Sequence, residues 1–460
     1  MKTGIITFLL SLWAVASACG AEVPRYIFYF IGDGMGMGQV QAAQVYNRTV
    51  LGNDEPLLMM QFPVASQSTT HSASSPVTDS AAAGTALATG HKTNNGMLGM
   101  TPDSAAVTSV AKELFDRGYG VALVTSVPPD DATPGAFYAH VPSRSMYYEI
   151  GLQAYDFIAG SKLRGNKDKD GNPNDLIDTF RANGVDIARG LDQLKDKKSR
   201  RVLLLNPEEI TESQINFTID SVKGAMNLPD MTLAALEHLK RNGRDRFFMM
   251  VEGGNIDYGG HANDGGTIIK EVINFNQALR HAYDFYLAHP DETLILVTAD
   301  HETGGMGLGN NSVGYDLHLR YIDWQRISKD RFADYCRAMR RSRRIYDWPD
   351  MKEFLEERMG FWHAVPVTDE QTASLEQEFE RCFKGELPAD KHTLYNSFNT
   401  FTEMVYRVQD SVTGLGFTTN GHSGGLVPVY AVGVGSELFM PLTDNALLPA
   451  RIRTICGLEQ

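Results

Sequence analysis

The chain has 460 residues, of which 43% are hydrophobic and 21% charged, a composition typical of a soluble globular protein and not of a disordered chain. Its 42 Lys and Arg against 56 Asp and Glu residues give a net charge of −14, which argues against a nucleic-acid-binding surface because such a surface must attract phosphates. Four cysteines are too few for a disulfide scaffold, and the length suits three average domains or one large α/β domain with insertions.

The amino terminus has the pattern of a secretory signal peptide. Lys2 precedes an apolar run over residues 4–18 that ends in small residues, as in the cleavage region of such signals. Cleavage before Cys19 would leave an acylated cysteine as a lipid anchor, and cleavage after Ala21 is the alternative. We predict that residues 1–21 act as the signal and that the mature protein is periplasmic, secreted or anchored in the envelope. An apolar first helix or strand is the competing interpretation.

Six short apolar segments, rich in β-branched and aromatic residues, predict buried parallel strands of an open α/β sheet. They are Tyr26–Ile31, Val121–Ser126, Val202–Leu205, Phe247–Val251, Thr293–Val297 and Val429–Val434. Helical periodicity between them predicts helices, among them Ser104–Arg117, Met231–Arg241 and Gly266–Ala288. In such sheets functional residues collect just past the carboxyl ends of the strands.

Two polar stretches interrupt this alternation. Residues 162–174 are rich in Gly, Asn and Asp, which predicts a surface loop. From about residue 312 to residue 400 the chain turns polar and helical, which predicts an insertion in the main sheet. This insertion contains Cys336 and Cys382, which could form a disulfide in an oxidising compartment and would then leave Cys456 free.

Asp33 and Ser80 are the first candidate site residues in chain order. Asp33 follows the first strand between two glycines, so its carboxylate can approach a metal ion or a phosphate without obstruction. Ser80 lies in the segment Val77–Thr85, where a loop enters a helix of small residues. The positive end of such a helix favours an anionic phosphate and an ionised serine, although a simple Ser N-cap fits the same pattern.

Asp131, Thr133 and Arg144 follow the second predicted strand. The carboxylate and the hydroxyl, two residues apart, are hard oxygen ligands of the kind that Mg²⁺ prefers. The planar guanidinium of Arg144 can bind two oxygens of one phosphate. Each of these residues alone could be an ordinary turn or surface residue, so the prediction depends on their combination.

The carboxyl-terminal half of the chain supplies three more carboxylates and three imidazoles close to predicted strands. They are Glu252, Asp257, His261, Asp300, His301 and His422. With Asp33 and Asp131 they form a set too large for one ion, which suits two zinc-type sites with N and O ligands and one oxygen-rich magnesium-type site. Two metal ions about 4 Å apart stabilise the attacking and leaving oxygens of a phosphoryl transfer.

In residue type, spacing and order these motifs resemble those of the alkaline phosphatase family, from Tyr26 to about Val434. The resemblance implies an open, mostly parallel sheet flanked by helices, with a crown-like helical insertion, in a catalytic domain of residues 22–460. It also implies that Ser80 is the phosphorylated nucleophile and that Arg144 binds the substrate phosphate.

The same resemblance implies two zinc ions and one magnesium ion per chain. The first zinc site would consist of Asp257, His261 and His422. The second zinc site would consist of Asp33, Asp300 and His301. The magnesium site would consist of Asp33, Asp131, Thr133 and Glu252.

One position departs from the family pattern. Tyr258 stands where some bacterial members carry a lysine and animal members a histidine, whereas Asp131 follows the bacterial aspartate at the magnesium site. This combination leaves the mode of phosphate binding and the pH optimum open. By analogy with the family we also expect a homodimer.

Other interpretations fit part of the pattern. A phosphodiesterase of the same superfamily usually carries threonine as its nucleophile, and a sulfatase needs a C/S-x-P/A-x-R motif, which the three alanines after Ser80 do not provide. A non-catalytic phosphate-binding or metal-binding protein would have no reason to keep Ser80 in this setting. The sequence therefore predicts an exported, metal-dependent phosphomonoesterase that hydrolyses small phosphate monoesters through a phosphoserine.

Overall fold

The computed structural model describes residues 23–153, 156–168, 170–208, 210, 214–342, 347–384, 390–393, 397–441 and 443–458. The predicted signal peptide and Cys19 lie outside these residues. Within the described ranges, none of the helices combines the length and the apolar content that crossing a bilayer requires.

A ten-stranded sheet with helices on both faces forms the centre of the molecule, as the sequence predicts. In chain order its strands are β1 (Tyr26–Ile31), β2 (Val64–Thr69), β3 (Gly120–Thr125), β4 (Phe157–Ala159), β5 (Asp186–Arg189), β6 (Val202–Leu205), β7 (Phe247–Glu252), β8 (Thr293–Thr298), β9 (Val427–Gly433) and β10 (Thr443–Asp444). Across the sheet they follow the order β10-β2-β9-β8-β1-β7-β3-β4-β6-β5.

Fifteen α-helices lie among the described residues. They are α1 (Met37–Thr49), α2 (Ser80–Thr89), α3 (Val110–Asp116), α4 (Ala132–Gly135), α5 (Tyr147–Gly151), α6 (Leu176–Ala182), α7 (Leu191–Leu194), α8 (Leu228–Arg241), α9 (Asn255–Ala262), α10 (Gly265–Ala288), α11 (Lys329–Arg341), α12 (Trp348–Met359), α13 (Asp369–Lys384), α14 (Thr400–Thr413) and α15 (Leu447–Ile455). Short antiparallel pairs join Glu302–Thr303 to His422–Ser423, Gly307–Leu308 to Leu415–Gly416, and Lys391–His392 to Ser397–Phe398.

The central strands are buried on both faces, which explains their continuous apolar sequences. In β1, Phe28 and Phe30 point into one hydrophobic cluster, with α1, α8 and α10. The alternate side chains of Ile27, Tyr29 and Ile31 point into a second cluster, with α2, α3 and α15. The period of two along a strand therefore divides one apolar segment between two cores.

The prediction that the strand near residues 429–434 is parallel is wrong. Strand β9 runs antiparallel to both of its neighbours, β8 and β2, whereas the other pairings of the sheet are parallel. A strand buried on both faces is apolar whichever way it runs, so its sequence does not report its direction. The reversal matters because it brings the amino end of β9, and His422 just before it, to the edge where the parallel strands end.

Helix boundaries differ from the prediction where a capping residue begins the helix. Helix α3 begins at Val110 and not at Ser104, because the Ser109 hydroxyl accepts a hydrogen bond from the Lys112 amide at 3.2 Å. Helix α8 begins three residues before Met231, where Asn227 provides the same kind of cap. Strands β2, β4, β5 and β10 were not predicted, since they lack a long apolar run.

The polar, helical stretch near residues 312–400 contains α11, α12 and α13, which form a third hydrophobic cluster. Helix α14 contributes Phe401 and Val405 to the same cluster, so its packing extends beyond residue 400. The division of the chain into one catalytic domain with this insertion stays a prediction. One physical link from this stretch to α9 is Lys329, whose buried ammonium group pairs with Glu403 at 2.9 Å and donates to the Ala262 carbonyl at 2.7 Å.

The sequence left open whether Cys336 and Cys382 form a disulfide, and in the structure both are buried free thiols, as is Cys456. Each of the first two sulfurs has its own polar partner. The Thr402 hydroxyl donates to the Cys336 sulfur at 3.8 Å, and the Cys382 thiol donates to Glu378 Oε1 at 3.4 Å.

Candidate active site

Four carboxylates lie at the edge where β1, β3, β7 and β8 end. Asp33 follows β1, Asp131 follows β3, Glu252 is the last residue of β7, and Asp300 follows β8. These strands are parallel and in register, with Ile31 opposite both Glu252 and Thr298. The topology therefore brings together acidic residues that are far apart in sequence, at the edge where α/β sheets bind ligands.

Ser80 is the first residue of α2 and its side chain is almost fully buried, at 1% exposure. Asp79 caps the helix by accepting a hydrogen bond from the Ala82 amide at 3.0 Å, so the serine hydroxyl is not needed as the cap. Ser80 Oγ lies 3.1 Å from His301 Nε2. The hydroxyl therefore lies at the positive end of a helix and against a predicted metal ligand.

The predicted second zinc set is one compact cluster. Ligand atoms of Asp33, Asp300 and His301 all lie within 4.8 Å of one another. Asp300 Oδ1 accepts hydrogen bonds from the Gly34 amide at 3.1 Å and from the His301 amide at 2.9 Å, whereas Oδ2 faces His301 Nε2 at 3.1 Å. One oxygen thus orients the carboxylate and the other is left for an ion. Glycine is required at position 34, where the amide donates to Asp300, because φ there is +72° and a Cβ would lie 2.8 Å from the Asp257 Cα.

The predicted first zinc set is also brought together, with one difference. Asp257 and His422 form a compact group with His301, whereas the prediction combines them with His261. His261 lies beside this group, with Nε2 at 3.4 Å from Asp257 Oδ2 and 3.2 Å from His422 Nε2. Asp257 and His261 are four residues apart on α9 and therefore face the same side.

The three imidazoles share one hydrogen-bonding pattern, in which Nδ1 carries the proton and Nε2 does not. His261 Nδ1 donates to the Asn420 carbonyl at 2.6 Å, and His422 Nδ1 donates to the Thr78 carbonyl at 2.8 Å. His301 Nδ1 lies 3.1 Å from Thr303 Oγ1, which donates to Asp257 Oδ1 at 2.5 Å, so the imidazole N–H is the donor to that hydroxyl. Each Nε2 is therefore left facing the carboxylates, which is the arrangement of histidines that bind metals.

Glu302 holds the two short segments that carry His301 and His422, and the sequence analysis missed it. Its carboxylate accepts from the Gln39 amide group at 2.6 Å, from the Met306 backbone amide at 3.1 Å and from the Ser423 hydroxyl. The two imidazoles consequently stack with ring centroids 3.6 Å apart. Thr303 was missed as well, although Glu302 and Thr303 are the two residues that come after the predicted ligand His301.

The predicted magnesium ligands lie on the side towards β3. Glu252 Oε2 accepts from the Thr125 hydroxyl at 2.5 Å, whereas Glu252 Oε1 and Thr133 Oγ1 have no hydrogen-bond partner in the part of the chain that the structure describes. Across both parts of the site, five buried oxygens have no hydrogen-bond partner among the described residues: Asp33 Oδ1, Thr133 Oγ1, Glu252 Oε1, Asp257 Oδ2 and Asp300 Oδ2. Since unpaired buried polar groups are costly, their convergence fits the binding of cations, and the donor types fit zinc and magnesium.

The pKa values of the site carboxylates agree with the binding of cations. Burial and the neighbouring Asp300 and Asp257 raise the pKa of Asp33 well above its usual value, and burial raises the pKa of Glu252 to about 8. Burial opposes ionisation of Asp257 too, but the imidazole of His261 and its neighbours outweigh it and lower the pKa of Asp257 to about 2. Without bound cations, the cluster therefore disfavours ionisation of Asp33 and Glu252, and a cation would reverse that preference.

Two arginines reach the magnesium side of the site. Arg144 lies where the sequence predicts it, with Nη1 at 3.3 Å from Asp79 Oδ2 and Nη2 at 3.1 Å from Asp131 Oδ1. The second is Arg164, whose Nη2 lies 3.2 Å from Asp131 Oδ2. The prediction that residues 162–174 form a surface loop is wrong at Arg164, whose side chain is 21% exposed.

A family model described as alkaline phosphatase matches residues 25–163 and 156–458 of the chain. Alkaline phosphatase 4 of Bacillus subtilis (strain 168) is 30% identical over 440 residues, covering 92% of this chain and 87% of that protein. The crystal structure of a cold-active alkaline phosphatase from a psychrophilic Shewanella sp. is similar with a TM-score of 0.79 and 26% identity, covering 94% of this chain and 99% of that one. A mutant of the alkaline phosphatase TAB5, from an Antarctic bacterium and solved with Mg bound, has the same fold, with a TM-score of 0.66, 24% identity, and coverage of 96% of this chain and 100% of that one.

Proposed function

The chain belongs to the alkaline phosphatase family and is a phosphomonoesterase, and from this premise we propose that it acts through a phosphoserine at Ser80 with two zinc ions and one magnesium ion. The observation that carries the proposal is the position of Ser80 Oγ, 3.1 Å from His301 Nε2, at the amino end of α2. A non-catalytic phosphate-binding protein would not need a nucleophile in contact with a ligand cluster.

The residues of the chain account for both half-reactions. Ser80 Oγ attacks the phosphorus in line, the phosphorus–oxygen bond to the alcohol breaks, and the alcohol leaves with a proton. Water then attacks the phosphoserine, releasing inorganic phosphate and restoring the hydroxyl. Arg144 offsets charge on the equatorial oxygens throughout, and the amide groups at the start of α2 stabilise the serine oxygen.

The metal ions would be held by the clusters described above. Asp33, Asp300 and His301 would hold the zinc beside Ser80. Asp257, His261 and His422 would hold the other zinc. Asp33, Asp131, Thr133 and Glu252 would hold the magnesium. When bound, the ions lower the pKa of the serine and of the attacking water and stabilise charge on the leaving oxygen.

Export also belongs to the proposal. The apolar segment of residues 4–18 supports removal of residues 1–21, with Cys19 as the site of acylation if cleavage precedes it. A homodimer rests on analogy with the family alone.

The test of this function compares initial rates on p-nitrophenyl phosphate and bis(p-nitrophenyl) phosphate. The monoester is expected to react faster, on the order of 10²–10³-fold in kcat/KM, because the second ester group removes an anionic oxygen that Arg144 and the cations would stabilise in the transition state. Equal or inverted rates would contradict a monoesterase and favour a diesterase. The Arg144→Met variant tests the stated reason, since its preference for the monoester should shrink.

A further inference from the structure

The loop that carries Arg164 is fixed in place by a buried carboxylate. Asp130 accepts hydrogen bonds from the Arg164 amide at 3.0 Å and from the Gly165 amide at 2.6 Å. Asn174 donates to the Gly165 carbonyl at 2.6 Å, and a Cβ on Gly165 would lie 2.5 Å from the Tyr147 carbonyl carbon. Side-chain contacts and close backbone packing together thus fix the backbone position of Arg164.

The guanidinium of Arg164 is held by three partners on different elements. Nη2 donates to the Tyr258 hydroxyl at 2.8 Å and pairs with Asp131 Oδ2 at 3.2 Å. Nη1 donates to the Tyr147 hydroxyl at 3.0 Å, and the group lies over the Tyr147 ring at 5.3 Å from its centroid. A planar guanidinium spreads its donors over three nitrogens and can also lie over a ring, whereas an ammonium group donates from a single nitrogen.

Asp131 consequently lies between two arginines. Its Oδ1 accepts from Arg144 Nη2 at 3.1 Å and from the Ala132 amide at 2.8 Å, and its Oδ2 pairs with Arg164. Because Arg164 shares the Asp131 carboxylate, Asp131 offsets less of the charge of Arg144, whose other carboxylate partner is Asp79. Without Arg164, the same carboxylate would neutralise Arg144 more completely.

We propose that Arg164 is a positioning residue for phosphate binding, which holds Asp131 and the Tyr258 hydroxyl and, by sharing the Asp131 carboxylate, strengthens the attraction of Arg144 for the phosphoryl oxygens. The inference rests on the proposed function. It assigns a role to Tyr258 as well, since its hydroxyl is one of the groups that fix the guanidinium.

The test measures the affinity of the metal-loaded enzyme for inorganic phosphate by titration calorimetry. Arg164→Met is expected to raise Kd by about tenfold, because it removes one positive charge near an anion in a partly desolvated site. Arg164→Lys should raise Kd by less, on the order of threefold, because it keeps the charge but not the fork. Lys167→Met is the matched control, since it removes a positive charge from an exposed position of the same loop and should leave Kd unchanged.

Kinetics and metal content separate this role from a structural one. In Arg164→Met, KM should rise more than kcat falls, with zinc and magnesium contents equal to those of the wild type. Equal Kd values in Arg164→Met and Lys167→Met would overturn the proposal. Recovery of affinity at saturating magnesium would overturn it too, since Arg164 would then act on metal loading.

A double-mutant cycle covers the case in which Arg164→Met does not fold. Tyr258→Phe should weaken phosphate binding slightly, and its effect should shrink in the Arg164→Lys background because the two groups act together. Strictly additive effects, or wild-type affinity in both single variants, would contradict the proposal. A wild-type enzyme that neither binds nor releases phosphate would instead contradict the proposed function.

Discussion

Replacing Ser80 by alanine is expected to lower kcat/KM for phosphate monoesters by about 10³–10⁵-fold, the range for loss of a nucleophile. The hydroxyl is the group that would form the covalent bond to phosphorus, and it lies against the cluster of Asp33, Asp300 and His301. Remaining activity would come from metal-activated water and phosphate binding. Steady-state kinetics on p-nitrophenyl phosphate measure the effect.

The fold of this variant should survive, because Asp79 provides the cap of α2 and alanine is a good helix former. The matched control is Ser75→Ala, a serine in the same loop whose hydroxyl accepts from the Val77 amide at 3.2 Å and lies outside the ligand cluster. Its activity should stay near that of the wild type. Comparable losses in the two variants would mean that the effect comes from the loop and not from a nucleophile.

Removing the metal ions is expected to abolish activity and to destabilise the protein. Five buried oxygens of the site have no hydrogen-bond partner among the described residues, and bound cations would compensate them. A ligand present at about 1,000 times its Kd stabilises the folded state by about 4 kcal/mol, and chelation removes that contribution. Activity with and without chelator, followed by addition of zinc, of magnesium and of both, measures the first effect, and thermal unfolding measures the second.

The metal-free protein should also become less stable as the pH rises. The pKa of Glu252 is raised by burial from 4.5 to about 8, so the folded state favours the protonated form. Stability from such a group is fully present below the unfolded pKa and is lost as the pH rises through the folded pKa, here between about 4.5 and about 8. Metal loading should remove this dependence, and activity that survives complete metal removal would contradict the account.

The strand-end ligands could be predicted because a short apolar run followed by Asp is a local pattern. Asp33 and Asp300 follow such runs, and parallel topology then brings them to one edge. The direction of β9 could not be predicted, since burial on both faces removes the alternation that separates an exposed side from a buried one. The position of His422 at the site was therefore predicted from the family resemblance and not from the sequence of the strand.

Arg164, Glu302 and Thr303 show why the supporting residues were missed. Arg164 lies in a segment whose composition indicates a surface loop, and its role depends on Asp130 and on close packing against Tyr147, which are contacts between distant parts of the chain. Thr303 donates to the predicted ligand Asp257, and Glu302 accepts from Ser423, which follows the predicted ligand His422. A pattern of residue types identifies groups that can bind an ion, but the groups that orient them become visible only in three dimensions.

The most direct test of the central claim is to locate the phosphoryl group on the enzyme. Metal-loaded protein is mixed with a phosphate monoester, quenched in acid during turnover and digested, and the peptides are analysed by mass spectrometry. The account predicts one phosphorylated peptide, with the group on Ser80, and no such peptide in the Ser80→Ala variant. A phosphoryl group on another residue, or one that persists in Ser80→Ala, would contradict it.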